Sequence, residues 1–151
     1  MKTRIIEPKK VLVVSTKTTL KNIAKDTYPL CEALMEDVKK FGITPAGPLE
    51  FIYFGASGDM EKEFELEIAL PVSPDTTAQG SRYKIKDTKP FKCATYIHKG
   101  GVDKLFAVYE ELFKELDWDK MKSTEEVREV YQNWVSPESE ENITEIQIGI
   151  N

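Results

Sequence analysis

The residues of this sequence that could do chemistry are a few carboxylates close to aromatic side chains. Glu129 and Tyr131 lie two positions apart in a segment predicted to be a β-strand, so they share one face. The alternate positions, on the other face, hold Val130, Gln132 and Trp134. A carboxylate in an aromatic cleft attracts a cation, or acts as a general acid or base where burial raises its pKa. Alternation also fits solvated positions on a half-exposed sheet for both Glu129 and Glu145, and both interpretations stay open.

A second carboxylate, Glu145, lies in a segment that matches an earlier one. Residues 144–148 (Thr-Glu-Ile-Gln-Ile) align with residues 66–70 (Leu-Glu-Ile-Ala-Leu) at a separation of 78 positions. The same separation places Tyr131 opposite Tyr53 and Glu145 opposite Glu67. Two segments that share one register indicate an internal repeat, which we place at about residues 10–72 and 91–150.

Five aromatic side chains form a rich set for a chain of this size: Tyr53, Tyr96, Tyr109, Tyr131 and Trp134. A single aromatic on a strand or helix usually packs in the core. As a group beside a cleft, they suit a flat ligand, because stacked rings add roughly 0.5–1.5 kcal/mol beyond area burial.

The remaining reactive side chains indicate neither a metal site nor a cofactor. His98 is the only histidine, and it precedes the turn at Lys99-Gly100-Gly101, where it is most simply a residue at the end of a strand. Cys31 and Cys93 lie far apart without a Cys-x-x-Cys context, so we expect buried free thiols in a reducing compartment.

Length and charge narrow the class of protein. The 151 residues suit one domain, residues 1–151, and the formal net charge of −5 argues against direct binding of nucleic acid. The longest apolar run, residues 11–14, is too short to cross a bilayer, and no signal-peptide core follows the N-terminus. We therefore expect a cytoplasmic protein without membrane association.

Hydrophobic periodicity predicts the same order of elements twice. In the second half, a strand at residues 92–98 leads into an amphipathic helix from Val102 to Leu116, followed by strands at 127–135 and 143–150. In the first half, a strand at 10–16 precedes a helical stripe that ends before Gly42, and strands follow at 49–54 and 64–70. A further short strand is predicted at 83–85. Pro29 is expected to divide the first helix into a short turn at 19–24 and a main helix that begins near Asp26 or Thr27.

This order predicts an α+β fold built from two pseudo-symmetric βαββ units. Each unit has one helix and three strands, which cannot close a core alone. We therefore expect an antiparallel sheet with two helices over a central ligand cleft.

Several segments together resemble the GyrI-like domain, the effector-binding module found alone or at the C-terminus of AraC-type and MerR-type transcription regulators. They are residues 92–98 with Lys99-Gly100-Gly101, residues 128–131 (Arg-Glu-Val-Tyr), residues 143–148 and, in the first half, residues 67–72. The resemblance implies a central pocket for bulky, often aromatic or cationic compounds. Because it fills the chain from about Arg4, it implies a free-standing member. Drug-binding members place a buried carboxylate on the strand that matches residues 130–134, and Gln132 is the nearest position here.

Six residues are predicted to bind the ligand: Tyr53, Glu129, Tyr131, Gln132, Trp134 and Glu145. The favoured function is non-enzymatic binding of an aromatic or cationic small molecule by a monomer. One alternative is a hydrolase of reactive ligands, with Glu129 or Glu145 activating water and Tyr131 assisting. The other is an interaction module that acts on a protein partner such as gyrase.

Overall fold

Eight antiparallel strands form one open sheet in the computed structural model, which describes residues 1–151. The strands are β1 (Lys2–Ile6), β2 (Lys10–Thr18), β3 (Glu50–Phe54), β4 (Phe64–Pro71), β5 (Lys84–Asp87), β6 (Phe91–Lys99), β7 (Ser123–Asn133) and β8 (Ile143–Ile150). The helices are α1 (Ile23–Lys40) and α2 (Leu105–Trp118), and a short 3-10 turn at Val102–Lys104 leads into α2. The predicted α+β class is confirmed.

The order of strands across the sheet is β1-β6-β8-β7-β3-β4-β2-β5. Strands β6, β8 and β7 therefore mirror β2, β4 and β3, and the two halves meet where β7 pairs with β3. Tyr53 and Tyr131 lie on the equivalent strands β3 and β7, and Glu67 and Glu145 lie on the equivalent strands β4 and β8. The two outer strands exchange between the halves. Strand β1 precedes the first half in sequence but pairs with β6 of the second half, and β5 precedes the second half but pairs with β2 of the first half. Strand β1 was not predicted from the sequence.

Both helices cover the same face of the sheet. Residues directly opposite each other on neighbouring strands share a face, and Leu66, Tyr53, Val127 and Ile148 are opposed in succession across β4, β3, β7 and β8. Leu66 belongs to the core cluster of α1, and Ile148 belongs to the core cluster of α2. We call this face the helix side and the other the open side. Each half has its own apolar core on the helix side.

Helix α1 is continuous through Pro29, so the predicted division of this helix is wrong. Proline removes the N–H that would bond to the carbonyl of Lys25. Lys25 and Pro29 are exposed, so water can hydrogen-bond to that carbonyl, while Leu34 and Val38 on the opposite side of α1 hold the helix in the core.

Several expectations about single elements need small corrections. Strand β7 runs from Ser123 to Asn133 rather than over residues 127–135, and its register with β8 shifts between Tyr131 and Asn133. Both cysteines are free, but only Cys93 is buried, whereas Cys31 is half-buried. His98 is buried at the end of β6, where its Nε2 lies 2.9 Å from the carbonyl oxygen of Gly101. Neither helix is long and apolar enough to cross a membrane.

Candidate ligand-binding site

Three tyrosine hydroxyls converge on the carboxylate of Glu129 on the helix side. Tyr53 donates to Oε1 at 2.8 Å, and Tyr131 donates to the same oxygen at 2.7 Å. Tyr109 donates to Oε2 at 2.7 Å. Glu129 is 4% exposed, so the phenols take the place of the water that would otherwise solvate its charge.

The pairing of β3 with β7 positions two of these donors. Phe51 lies directly opposite Glu129, and Tyr53 lies directly opposite Val127. Tyr53 and Tyr131 therefore lie on either side of the Phe51–Glu129 pair along the strands, on the same face as Glu129. The third donor, Tyr109, belongs to α2, whose buried residues Leu105, Leu112 and Leu116 anchor the helix to the sheet.

Burial changes the acid–base behaviour of the site. It raises the pKa of Tyr53, Tyr109 and Tyr131 well above the usual value for a phenol, and the negative charge of Glu129 raises it further. All three hydroxyls therefore remain protonated donors at neutral pH. No lysine, arginine or terminal amine forms an ion pair with Glu129. The site holds a buried negative charge that is hydrogen-bonded but not neutralised by a cation.

Aromatic rings surround the carboxylate and reach the surface. The ring of Tyr131 packs edge-on against Phe51 at 5.1 Å and against Trp134 at 5.6 Å. On α2, Tyr109 stacks with Phe113 at 6.4 Å. Trp134 is 44% exposed and Phe113 is 37% exposed, so a molecule from solvent can reach rings that lead to Glu129.

The structure brings together four of the six predicted site residues: Tyr53, Glu129, Tyr131 and Trp134. Alternation along β7 predicted that Trp134 would face away from Tyr131. The prediction about Trp134 is wrong, because the register shift after Tyr131 and the end of β7 at Asn133 leave it on the side of Tyr131.

The other two predicted residues, Gln132 and Glu145, lie on the open side. Glu145 is opposed to Val130 on β7, which alternates with Glu129. It is 6% exposed, so the solvated interpretation is wrong for Glu145 as well as for Glu129. Glu67 does not approach Glu145, because β3 and β7 separate their strands and Glu67 pairs with Lys86 instead.

Phe51 and Tyr109 were not among the residues predicted to form the site. Phe51 carried a usable signal, because it precedes Tyr53 by two positions and matches Glu129 at the separation of 78. Tyr109 belongs to the apolar stripe of α2. The spacing of that stripe does not show which of its side chains forms a hydrogen bond with a buried carboxylate. A buried carboxylate is present on β7 at Glu129, three positions before Gln132.

The whole chain, residues 1–151, matches the family model described as the GyrI-like small molecule binding domain. The chain belongs to the GyrI-like family. It is therefore a small-molecule-binding domain, as the resemblance in the sequence implied. No similar protein was found among proteins with curated functions.

Solved structures share the GyrI-like fold along nearly the whole chain. The C-terminal domain of EcmrR is 21% identical with a TM-score of 0.76, and the match covers 99% of this chain and 96% of that one. SAV2435, solved with tetraphenylphosphonium bound, is 14% identical with a TM-score of 0.72, covering 99% and 93%. A hydrolase encoded by lin2189 of Listeria innocua is 14% identical with a TM-score of 0.63, covering 99% and 91%.

Proposed function

We propose that the site around Glu129 binds bulky aromatic cations. The observation that carries the proposal is the buried carboxylate without a cationic partner. An ionised carboxylate out of water is costly, and hydrogen bonds from Tyr53, Tyr109 and Tyr131 offset part of that cost. A ligand cation near Glu129 would neutralise the charge that the protein leaves unpaired.

The aromatic surroundings define the shape and polarity of the ligand. The rings of Trp134 and Phe113 offer flat apolar area at the surface, and the half-buried ring of Tyr131 packs against Trp134. The faces of aromatic rings attract cations as well. A small, strongly hydrated ion gains little from such rings, whereas a large cation with aromatic substituents gains from both charge and area. The tetraphenylphosphonium bound to SAV2435, a protein of the same fold, supports this ligand class.

Hydrolysis is less well supported by the same geometry. A general base must accept a proton from water through a free lone pair within hydrogen-bond reach. Both oxygens of Glu129 already accept phenol hydrogen bonds, and Oε1 accepts two. Of the roughly four lone-pair sites of the carboxylate, only one, on Oε2, is left to accept a proton from water, whereas a binding role uses the charge and keeps all three donors.

Comparing two ions of the same shape and opposite charge tests the proposal. Tetraphenylphosphonium and tetraphenylborate both present four phenyl groups around one central atom. Isothermal titration is expected to give a micromolar dissociation constant for the cation, which corresponds to about 8 kcal/mol, and at least roughly 100-fold weaker binding of the anion. The preference should persist at high salt, because a buried charge is screened less than an exposed one. Equal affinity for the two ions would contradict the proposal.

A further inference from the structure

A polar cavity of about 670 Å³ lies on the open side of the sheet, away from Glu129. Its polar lining comes from β1, the turn that follows β1, and strands β3, β7 and β8. Six side chains supply it: Arg4, Lys9, Glu50, Gln132, Glu145 and Gln147. No aromatic ring lines this cavity, so it differs in kind from the site around Glu129.

The charges of this cavity are balanced. Lys9 pairs with Glu50, and Arg4 pairs with Glu145. The two carboxylates are buried, with Glu50 1% exposed and Glu145 6% exposed. The side chains of Arg4 and Lys9 are 50% and 30% exposed. The negative groups therefore lie at the floor of the cavity and the positive groups lie nearer its mouth.

Two buried acceptors in the lining have no donor. Glu50 Oε1 and Gln147 Oε1 accept no hydrogen bond and are shielded from solvent. The other oxygen of Glu50 is bonded to Lys9, and the amide nitrogen of Gln147 donates to Glu145 at 2.6 Å. A buried acceptor without a donor costs about 1–3 kcal/mol, so a bound group that donates hydrogen bonds would be favoured here.

We propose that this open-side cavity binds a small zwitterion of the amino-acid or dipeptide type. Its ammonium group donates to Glu50 Oε1, and a second N–H group of the ligand, such as a peptide amide, donates to Gln147 Oε1 on the other side of β7. Its carboxylate is held by the guanidinium of Arg4 and the ammonium of Lys9, which have N–H groups to spare. A ligand with no net charge preserves the balance between the two acids and the two bases. The volume of the cavity is within the range of small-molecule sites.

Other ligand classes fit the cavity less well. A diamine would add two positive charges beside Arg4 and Lys9, and a dicarboxylate would add two negative charges beside Glu50 and Glu145. A large aromatic cation would find no ring to stack on. The inference does not depend on the proposed function of the helix side, because the two sites lie on opposite faces of the sheet and share no side chain.

Nuclear magnetic resonance titration of the ¹⁵N-labelled full chain tests the inference. Glycylglycine is the probe, and putrescine and succinate are the dicationic and dianionic controls. The inference predicts saturable shifts of the side-chain amides of Gln132 and Gln147 with glycylglycine, and neither control should saturate them. Shifts that stay linear to the highest concentration of glycylglycine, or saturation by putrescine or succinate with equal affinity, would overturn it.

Two variants and one control locate the site. Glu50→Gln keeps the shape of the side chain and is expected to weaken glycylglycine at least tenfold by removing the charge that receives the ammonium. Arg4→Gln changes a half-exposed residue and should weaken binding similarly through the carboxylate, with the amide spectrum of each variant reporting whether the fold is intact. Glu65→Gln changes an exposed acid of β4 outside the cavity and should leave the affinity unchanged. Native affinity in both Glu50→Gln and Arg4→Gln would refute the assignment even where glycylglycine binds.

Discussion

Tyr53 and Tyr131 donate to the same oxygen of Glu129, at 2.8 Å and 2.7 Å, although they lie 78 positions apart in the chain. They occupy equivalent places on β3 and β7, the two strands at which the halves of the sheet meet. The internal repeat thus supplies one donor from each half, and the single acid lies between them. Its counterpart in the first half is Phe51, so only one charge is buried at the junction.

Removing one donor should destabilise the fold. Tyr53→Phe keeps the buried ring but leaves Glu129 Oε1 with one phenol, and Tyr53 is too buried for water to replace the hydroxyl. The expected loss in the free energy of unfolding is about 1–3 kcal/mol, measured by urea denaturation. Tyr28→Phe, at a tyrosine that is 49% exposed on α1, is the control and should change stability by less than about 0.5 kcal/mol. Equal effects in the two variants would refute the role of Tyr53 as a buried donor.

Stability should decline at alkaline pH. Burial, and after it the charge of Glu129, raises the pKa of Tyr53, Tyr109 and Tyr131 above the ordinary value of 10.0. Above pH 10 the unfolded chain therefore loses these protons while the folded chain keeps them, so each phenol lowers stability by up to about 1.4 kcal/mol per pH unit. Urea midpoints measured from about pH 8 to pH 11 should fall along a gentler slope for Tyr131→Phe than for the native chain. An identical slope would show that Tyr131 ionises at the same pH in both states.

Gly149 on β8 should not tolerate a side chain. A Cβ at this position would lie 2.2 Å from Thr124 Oγ1, 2.8 Å from the carbonyl oxygen of Glu126 and 2.9 Å from Phe91 Cε1. Gly149→Ala is therefore expected to lower stability by about 1–3 kcal/mol through overpacking. Gly58→Ala is the matched control, because a Cβ there meets nothing within 4 Å. Thermal denaturation of the two variants measures the difference, and a Gly149→Ala protein as stable as Gly58→Ala would contradict the close packing over β8.

Replacing Pro29 by alanine should stabilise α1 and raise the free energy of unfolding. Pro29→Ala restores the N–H that bonds to the carbonyl of Lys25, in an exposed part of the helix. Proline costs about 3 kcal/mol relative to alanine inside a helix, partly offset because it also restricts the unfolded chain. We expect a net gain of about 1–3 kcal/mol in urea denaturation. Glu32→Ala, also exposed on α1, should change stability little, and a loss on Pro29→Ala would mean that proline fits this turn better than alanine.

The sequence predicted the fold more fully than the site. The spacing of apolar residues and the order of helices and strands can both be read along the chain, whereas the site depends on contacts between distant segments. The apolar stripe of α2 and the matched segments at Glu67 and Glu145 were enough to give two equivalent halves. Strand β1 was not predicted, because residues 2–6 are mostly exposed and form a strand only by pairing with β6 of the second half. Helix α1 continues through Pro29 because the turn around this proline is exposed to solvent, and the sequence does not show that exposure.

For the site, alternation decided which residues could share a face but not which face carried the helices. It grouped Glu129 with Tyr131 correctly, and it separated Trp134 from them because it assumed a regular strand through the register shift. Glu145 and Glu129 are both carboxylates within predicted strands, and alternation alone gave no reason to separate them. Only the placement of both helices on one side of the sheet separates the acid that meets three phenols from the acid that meets Arg4.

The most direct test of the account removes the charge of Glu129 and keeps its shape. Glu129→Gln should weaken tetraphenylphosphonium at least about 30-fold, because truncating one partner of a buried charge pair costs about 2 kcal/mol or more. Triphenylphosphine oxide, a neutral aromatic ligand, should lose less than about threefold, since the rings are unchanged. Glu125→Gln, the same change at an exposed acid of β7, should affect neither ligand. Native affinity of Glu129→Gln for tetraphenylphosphonium, with the fold intact by circular dichroism, would contradict the central claim that this carboxylate receives the cation.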